Sequence, residues 1–161
     1  MLKKILFSVM VITALVSCKS DAGYKYSEYF VNKERGLMPA VDSTEDRVGR
    51  YADAHEYDSI RIVSAELEKK FDLAIDEMKQ KPAPDAKGGE LFKSEALKYF
   101  EYMRSIYTAY KDFGAATDED REAVRTRFLE LIQKKESVIQ NIKTAQREFA
   151  AANGFKIEKT Y

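Results

Sequence analysis

Cysteine occurs once, histidine once and tryptophan not at all in the 161 residues. The lone thiol, Cys18, rules out a disulfide within the chain, so the folded part depends on its apolar core. A single histidine, His55, excludes the usual histidine-based nucleophile pairs and the Glu-x-x-His pairs with which helical bundles hold metals. His55-Glu56-Tyr57-Asp58-Ser59 starts like a zinc-protease motif, but Ser59 stands where the second histidine belongs. His55 therefore reads as a helix-end or surface residue. Gly-x-Ser-x-Gly and phosphate-loop patterns are missing as well. Excess charge is also lacking: 27 basic and 27 acidic side chains leave no basic face, so no nucleic acid partner is expected. Carboxylates such as Glu66 with Glu68, or Asp118 to Asp120, sit where solvated helix faces and helix N-termini account for them. No catalytic residue, metal or cofactor is expected.

The one long apolar run lies at the start. Lys3 and Lys4 precede an apolar stretch from Ile5 to Leu15, too short to span a bilayer comfortably and of signal-peptide length. Leu15-Val16-Ser17 then lead to Cys18, a tetrad that resembles the lipobox of bacterial lipoproteins. The resemblance implies cleavage before Cys18 and acylation of its thiol and new amino group. That would account for a leftover cysteine in an exported chain. One acyl chain binds a membrane only reversibly, at about 0.8 kcal/mol per buried methylene, whereas the two or three chains implied here make attachment lasting.

Residues 1–17 are thus expected to be a lipoprotein signal peptide, 18–24 a lipidated tether and 25–161 a helical domain. Removing seventeen of 161 residues leaves 144, one domain's worth, with 25 basic and 27 acidic side chains. Lys19, rather than an aspartate, follows Cys18, which in lipoprotein sorting logic points to the outer membrane. The Lys19-Ser20-Asp21 run also resembles the lysine-plus-acid tags of surface lipoproteins. Either the periplasmic or the outward face stays open.

Beyond Tyr24 the apolar spacing is helical and nowhere alternates with period two. A first helix is predicted over about Lys25 to Arg50, with Tyr26, Phe30, Leu37, Val41, Val48 and Tyr51 on one stripe that keeps its register through Pro39. A second is predicted over Asp53 to Gln80, and residues 81–89, with two prolines and two glycines, end it. A third covers Glu90 to Phe113, with Gly114 as its stop. The fourth begins at Thr117, a hydroxyl cap followed by three acids. It buries Val124, Phe128, Leu131, Val138, Ile142, Ala145, Phe149 and Ala152, and stops at Asn153-Gly154 with Phe155 folding back. Short connections between such helices predict an all-α fold, an antiparallel up-down four-helix bundle.

Ten tyrosines and nine phenylalanines are the unusual feature. Tyr99, Tyr102, Tyr107 and Tyr110 crowd one arc of the third helix. They are either a ligand or partner surface, for which tyrosine supplies area and a polar tip, or a core whose edge hydroxyls reach water. Tyr24, Tyr26, Tyr29 and Phe30 form a second group next to the tether, suited to packing or to a membrane interface.

The segments Gly89-Glu90-Leu91-Phe92-Lys93-Ser94-Glu95-Ala96-Leu97-Lys98-Tyr99-Phe100 and Gln146-Arg147-Glu148-Phe149-Ala150-Ala151-Ala152-Asn153-Gly154-Phe155 resemble an uncharacterised family of small helical bacterial surface lipoproteins. The resemblance implies a helical fold and an envelope location, and no catalytic residue. The expected function is a membrane-anchored, non-enzymatic binding or structural module with an envelope or extracellular protein partner. The alternative is a carrier or sensor of a small apolar or aromatic ligand, held in a pocket among the aromatics of the third and fourth helices.

Overall fold

The structure, a computed structural model, describes residues 10–11 and 21–159. Leu15, Val16, Ser17 and Cys18, the expected processing and lipidation residues, lie outside them. The described chain is helical, with α1 (Asp21–Asp53), α2 (Tyr57–Gln80), α3 (Gly89–Ala115), α4 (Arg121–Gln133) and α5 (Lys135–Asn153). The exception among the described residues is a two-residue antiparallel pairing of β1 (Met10–Val11) with β2 (Glu158–Lys159).

Contacts between the helices pair residues in opposite order along the chain. Lys33 and Arg47 of α1 pair with Glu77 and Glu66 of α2. Asp72 and Glu68 of α2 pair with Arg104 and Lys111 of α3. Phe92 and Tyr110 of α3 meet Phe149 and Phe128 of α5 and α4. In each case one number rises as the other falls. The sequence periodicity placed the core well: every predicted apolar position of α2, from Ile60 to Met78, is buried. So are Phe92, Ala96, Tyr99, Met103, Ile106 and Tyr110 of α3. Their stripes recur every three or four residues and face one another, so burying them gives the helices most of their stability.

Besides the start of α4, which falls at Arg121 after a turn over 118–120 rather than directly after Thr117, four boundaries differ from expectation. First, α1 starts at Asp21, not Lys25, because an acid in the first turn, paired with Lys25, supports helix ahead of the apolar stripe. It also runs unbroken through Pro39, which is exposed. Second, the turn between α1 and α2 falls at residues 54–56, where His55 adopts a left-handed backbone with φ of 58°. Third, Gly114 is no stop. It lies inside α3, where an added Cβ would come 2.5 Å from the Arg61 nitrogen and 2.6 Å from the Tyr57 carbonyl oxygen, so the missing side chain lets α2 and α3 touch.

Fourth, the last helical stretch divides at Lys134, whose N–H bonds to the Leu131 carbonyl three residues back. The Tyr102 hydroxyl donates to the same oxygen at 3.2 Å, so this carbonyl is engaged where a regular helix would offer it to Lys135. At the far end the expected finish is observed: Gly154 has φ of 74°, the Phe155 N–H reaches the Ala150 carbonyl, and Phe155 is buried. Of the expected buried face, however, Phe128, Leu131 and Val138 are only half-buried and Ala152 is exposed, while Ala150 and Asn153 take the buried positions of the last turn.

Candidate functional site

The four tyrosines of α3 are not a surface. Tyr99, Tyr102, Tyr107 and Tyr110 are all buried, Tyr107 completely, and the reading that made them a ligand or partner face is corrected to a core reading. The reason is directional: the arc they occupy is also the arc that carries Phe92, Met103 and Ile106. Tyr99 packs edge-on against Phe30 and Phe100, Tyr110 meets Phe128 at a tilt, and Tyr107 lies 5.5 Å from Phe71 and nearly parallel to it.

Each buried hydroxyl then needs a partner, and α1 supplies two. Tyr99 donates to Oε1 of Glu34 at 2.7 Å, and Tyr107 donates to Oε1 of Glu45 at 3.1 Å. These bonds cross the bundle between α1 and α3. Burial raises the pKa of Glu34, while the Tyr99 hydroxyl and the charges of Lys143 and Arg35 oppose it. Glu45 is raised by burial too, against the Tyr107 hydroxyl and Lys135. The phenols respond in kind: Tyr99 is pushed well above its ordinary value by burial and by Glu34. Tyr107 is pushed far up by burial and by Glu45, and Tyr110 by the same causes. Burial alone pushes Tyr102 up to about 12.

Two perturbed carboxylates invite comparison with an acid–nucleophile pair. Eleven residues of helix separate them by about 16 Å, beyond the roughly 5–9.5 Å that glycoside-type chemistry spans. Each is instead bound to its own tyrosine and faces a lysine of α5, an arrangement that ties α1, α3 and α5 together. The other acids noted in the sequence are likewise engaged. Glu68 accepts from Thr108 at 2.5 Å and Lys111 at 2.6 Å. Burial alone would raise it, but these donors outweigh burial and hold its carboxyl below the usual range. Glu66 faces Arg47 at 3.7 Å, and Asp118 pairs with Arg121.

The turns far from Asp21 form a small built cluster. Arg121 lies 3.6 Å from the centre of the Tyr57 ring and donates to the Ala116 carbonyl at 2.8 Å. His55 is exposed and its Nδ1 lies 3.1 Å from the Tyr57 hydroxyl. Among the described residues no group of three or more His, Cys, Asp or Glu side chains is placed to hold a metal ion.

Concavity lies elsewhere. A groove of about 500 Å³ runs between α1 and α2, with Gly36, Leu37 and Leu73 among its apolar lining and Tyr29, Lys33 and Glu77 at its rim. That volume falls within the range of small-molecule sites. None of its lining residues is on α3 or α4, where the ligand pocket was expected. Sequence reasoning missed both features. The carboxylates had a visible signal, since Glu34 sits four residues after Phe30 and seven before Val41, on the apolar stripe itself. The groove had none, because a glycine on an exposed helix face leaves no periodic mark.

Among the described residues no helix is long and apolar enough to cross a membrane. No family model, curated protein or solved structure matches the chain, so the resemblance drawn from residues 89–100 and 146–155 rests on those residues alone.

Proposed function

We propose that the chain is a lipoprotein of the bacterial envelope, anchored through acylated Cys18 in the outer membrane, whose folded part is an up-down-up-down helical bundle serving as a non-enzymatic binding or structural module. The observation that carries this reading is the order of the first eighteen residues: two lysines, an apolar run, then Leu15-Val16-Ser17-Cys18. The opposed numbering of contacts between successive helices supports the bundle arrangement. The start of α1 at Asp21 supports the anchor geometry, because only Lys19 and Ser20 separate Cys18 from the helix. Three residue steps reach at most about 10 Å. The partner of such a module is a protein of the envelope or the cell exterior, met close to the membrane.

Mass measurement of the mature N-terminus tests the reading. A native protein beginning at Cys18 with the added mass of two or three acyl chains is expected, and Cys18→Ala should move the protein out of the membrane fraction. A retained leader, or a Cys18 terminus without added lipid, would overturn it. The groove between α1 and α2 favours a second reading, a carrier or sensor of a small apolar ligand. Gly36→Phe, which fills that groove from an exposed helix face, should then abolish co-purification of any such ligand while leaving the far-ultraviolet helical signal intact.

A further inference from the structure

The two ends of the bundle differ in charge. The end at which α1 begins is also formed by the α2–α3 connection and the finish of α5: Tyr24 and Phe155 meet at 5.8 Å, and Asn153 donates to the Lys87 carbonyl at 2.9 Å. Here Lys25 is committed to Asp21 and Lys79 to Glu101, which leaves Lys81, over the Tyr29 ring, with Lys87 and Lys156 against Asp85 and Glu90. The opposite end is acidic. Its turns carry Asp53, Glu56 and Asp58 beside Asp118, Glu119 and Asp120, while Arg61 and Arg121 are committed to Asp58 and Asp118. A second asymmetry is apolar. Ile62, Leu73, Leu91 and Leu129 are the large apolar side chains left exposed among the described residues, and of these Leu91, 57% exposed, sits in the first turn of a helix at the lysine-rich end.

We infer that this lysine-rich end rests on the bilayer that holds the anchor, with Leu91 entering the interface and the lysines around it facing anionic lipid headgroups. The inference rests on the lipoprotein reading. It adds an orientation and a lipid contact that anchoring alone does not require, since an acyl chain tolerates any tilt. Three physical arguments converge. The link of about 10 Å from Cys18 to Asp21 is little longer than the headgroup layer of one leaflet, about 5–8 Å, so the first turn of α1 is held within a few ångströms of it. Lysines close to an anionic surface are attracted within a Debye length, while an acidic end is repelled to the far side. A leucine at that level gains by leaving water, and Lys81 and Lys87, in the connection that leads into its helix, can keep their ammonium groups in the headgroups while their stems pack. The bundle thus stands upright, with its acidic turns outward and both the α1–α2 groove and the helix faces open to a partner.

The test uses the full lipidated protein in vesicles of phosphatidylcholine and phosphatidylglycerol in equal parts. An acylated Cys18 has no free thiol, so Leu91→Cys and Ile62→Cys each accept one nitroxide label, and collision with oxygen and with a water-soluble nickel chelate reports depth. The label at 91 is expected to sit in the interface, shielded from nickel, and to move towards water when Lys81 and Lys87 are both changed to Glu. The label at 62, towards the other end, is expected to stay fully aqueous. Equal nickel access at both positions would overturn the resting geometry while leaving the anchor intact. If the unsubstituted protein itself takes up label, Cys18 is free, and the anchor reading falls together with this one.

Discussion

Glu34 and Glu45 lie on the face of α1 that turns inward, where a charged carboxylate loses hydration that a tyrosine hydroxyl only partly restores. Because burial raises the folded-state pKa of Glu34 above its unfolded value, the stability it contributes is fully present below the unfolded value. That stability is lost as pH rises through the folded value. Glu34→Gln keeps an acceptor for Tyr99 and carries no charge. The variant should therefore melt higher than the parent at pH 8, with the gap closing as pH falls through the raised folded value and fully closed once it is below the ordinary 4.5. A gap that stays constant across that range in thermal melts would contradict the burial argument. Tyr99→Phe does the reverse, leaving a buried carboxylate without its donor at a cost of roughly 1–3 kcal/mol by urea denaturation. The same change made on the Glu34→Gln background should cost less, and a double-mutant cycle measures the coupling. Glu68 has the opposite sign. Its carboxyl is held below the usual range by Lys111 and Thr108, so its contribution is present above the unfolded value and is lost as pH falls through the folded one.

One substitution should have opposite effects at two glycines, both within helices. At Gly114 a methyl group would drive into the backbone of Tyr57 and Arg61, which cannot swing aside as a flexible side chain could. Gly114→Ala should cost about 1–3 kcal/mol, despite the better helix propensity of alanine, because α2 and α3 must separate. At Gly36 nothing lies within 4 Å of an added Cβ, so Gly36→Ala should stabilise by roughly 0.5–1 kcal/mol. Chemical denaturation of the two variants beside the parent checks both signs at once. The pair also marks what a single sequence can convey. Periodicity located the end of α2 to the residue and both ends of α3 to within two, since apolar stripes are local and repeat, but it put the start of α2 four residues early. It could not separate a glycine that ends a helix from one that admits a neighbour, because that distinction lies in another part of the chain. The break at Lys134 was hidden for a similar reason: the stripe from Phe128 to Ile142 keeps its spacing, and the Tyr102 hydroxyl at the break comes from α3. The tyrosine arc was legible both as an arc and as a candidate core, but the partners of its hydroxyls, Glu34 and Glu45 on α1, were not, because they come from another part of the chain.

At the scale of the molecule, aromatic rings close the end at which α1 begins. Tyr24 of α1 meets Phe155 edge-on, Phe155 meets Phe149 at 5.9 Å, and Phe149 stacks on Phe92 at 4.8 Å. Phe92 in turn touches Tyr26 and Phe30 of α1. The rings thus form a circuit from α1 through the turn after α5 to α3 and back, and Phe155 is its one member beyond the last helix. Gly154 makes that placement feasible by taking the left-handed backbone that lets the chain reverse onto α5. Because helix ends fray unless tertiary contacts hold them, the first turns of α1 depend on a ring supplied from the other end of the sequence. Phe155→Ala should therefore lower global stability by about 2–4 kcal/mol, the lower part of the usual cost for a buried aromatic, since one side of the site can collapse. It should also speed amide hydrogen exchange in two separated places, residues 24–28 and 149–153, while exchange at residues 60–71 of α2 follows only the global change. If exchange rose at 149–153 alone, the ring circuit would not be coupling α1 to α5. The start of α1 would then be held by the contacts of Tyr26 and Phe30 with Phe92, without help from Phe155.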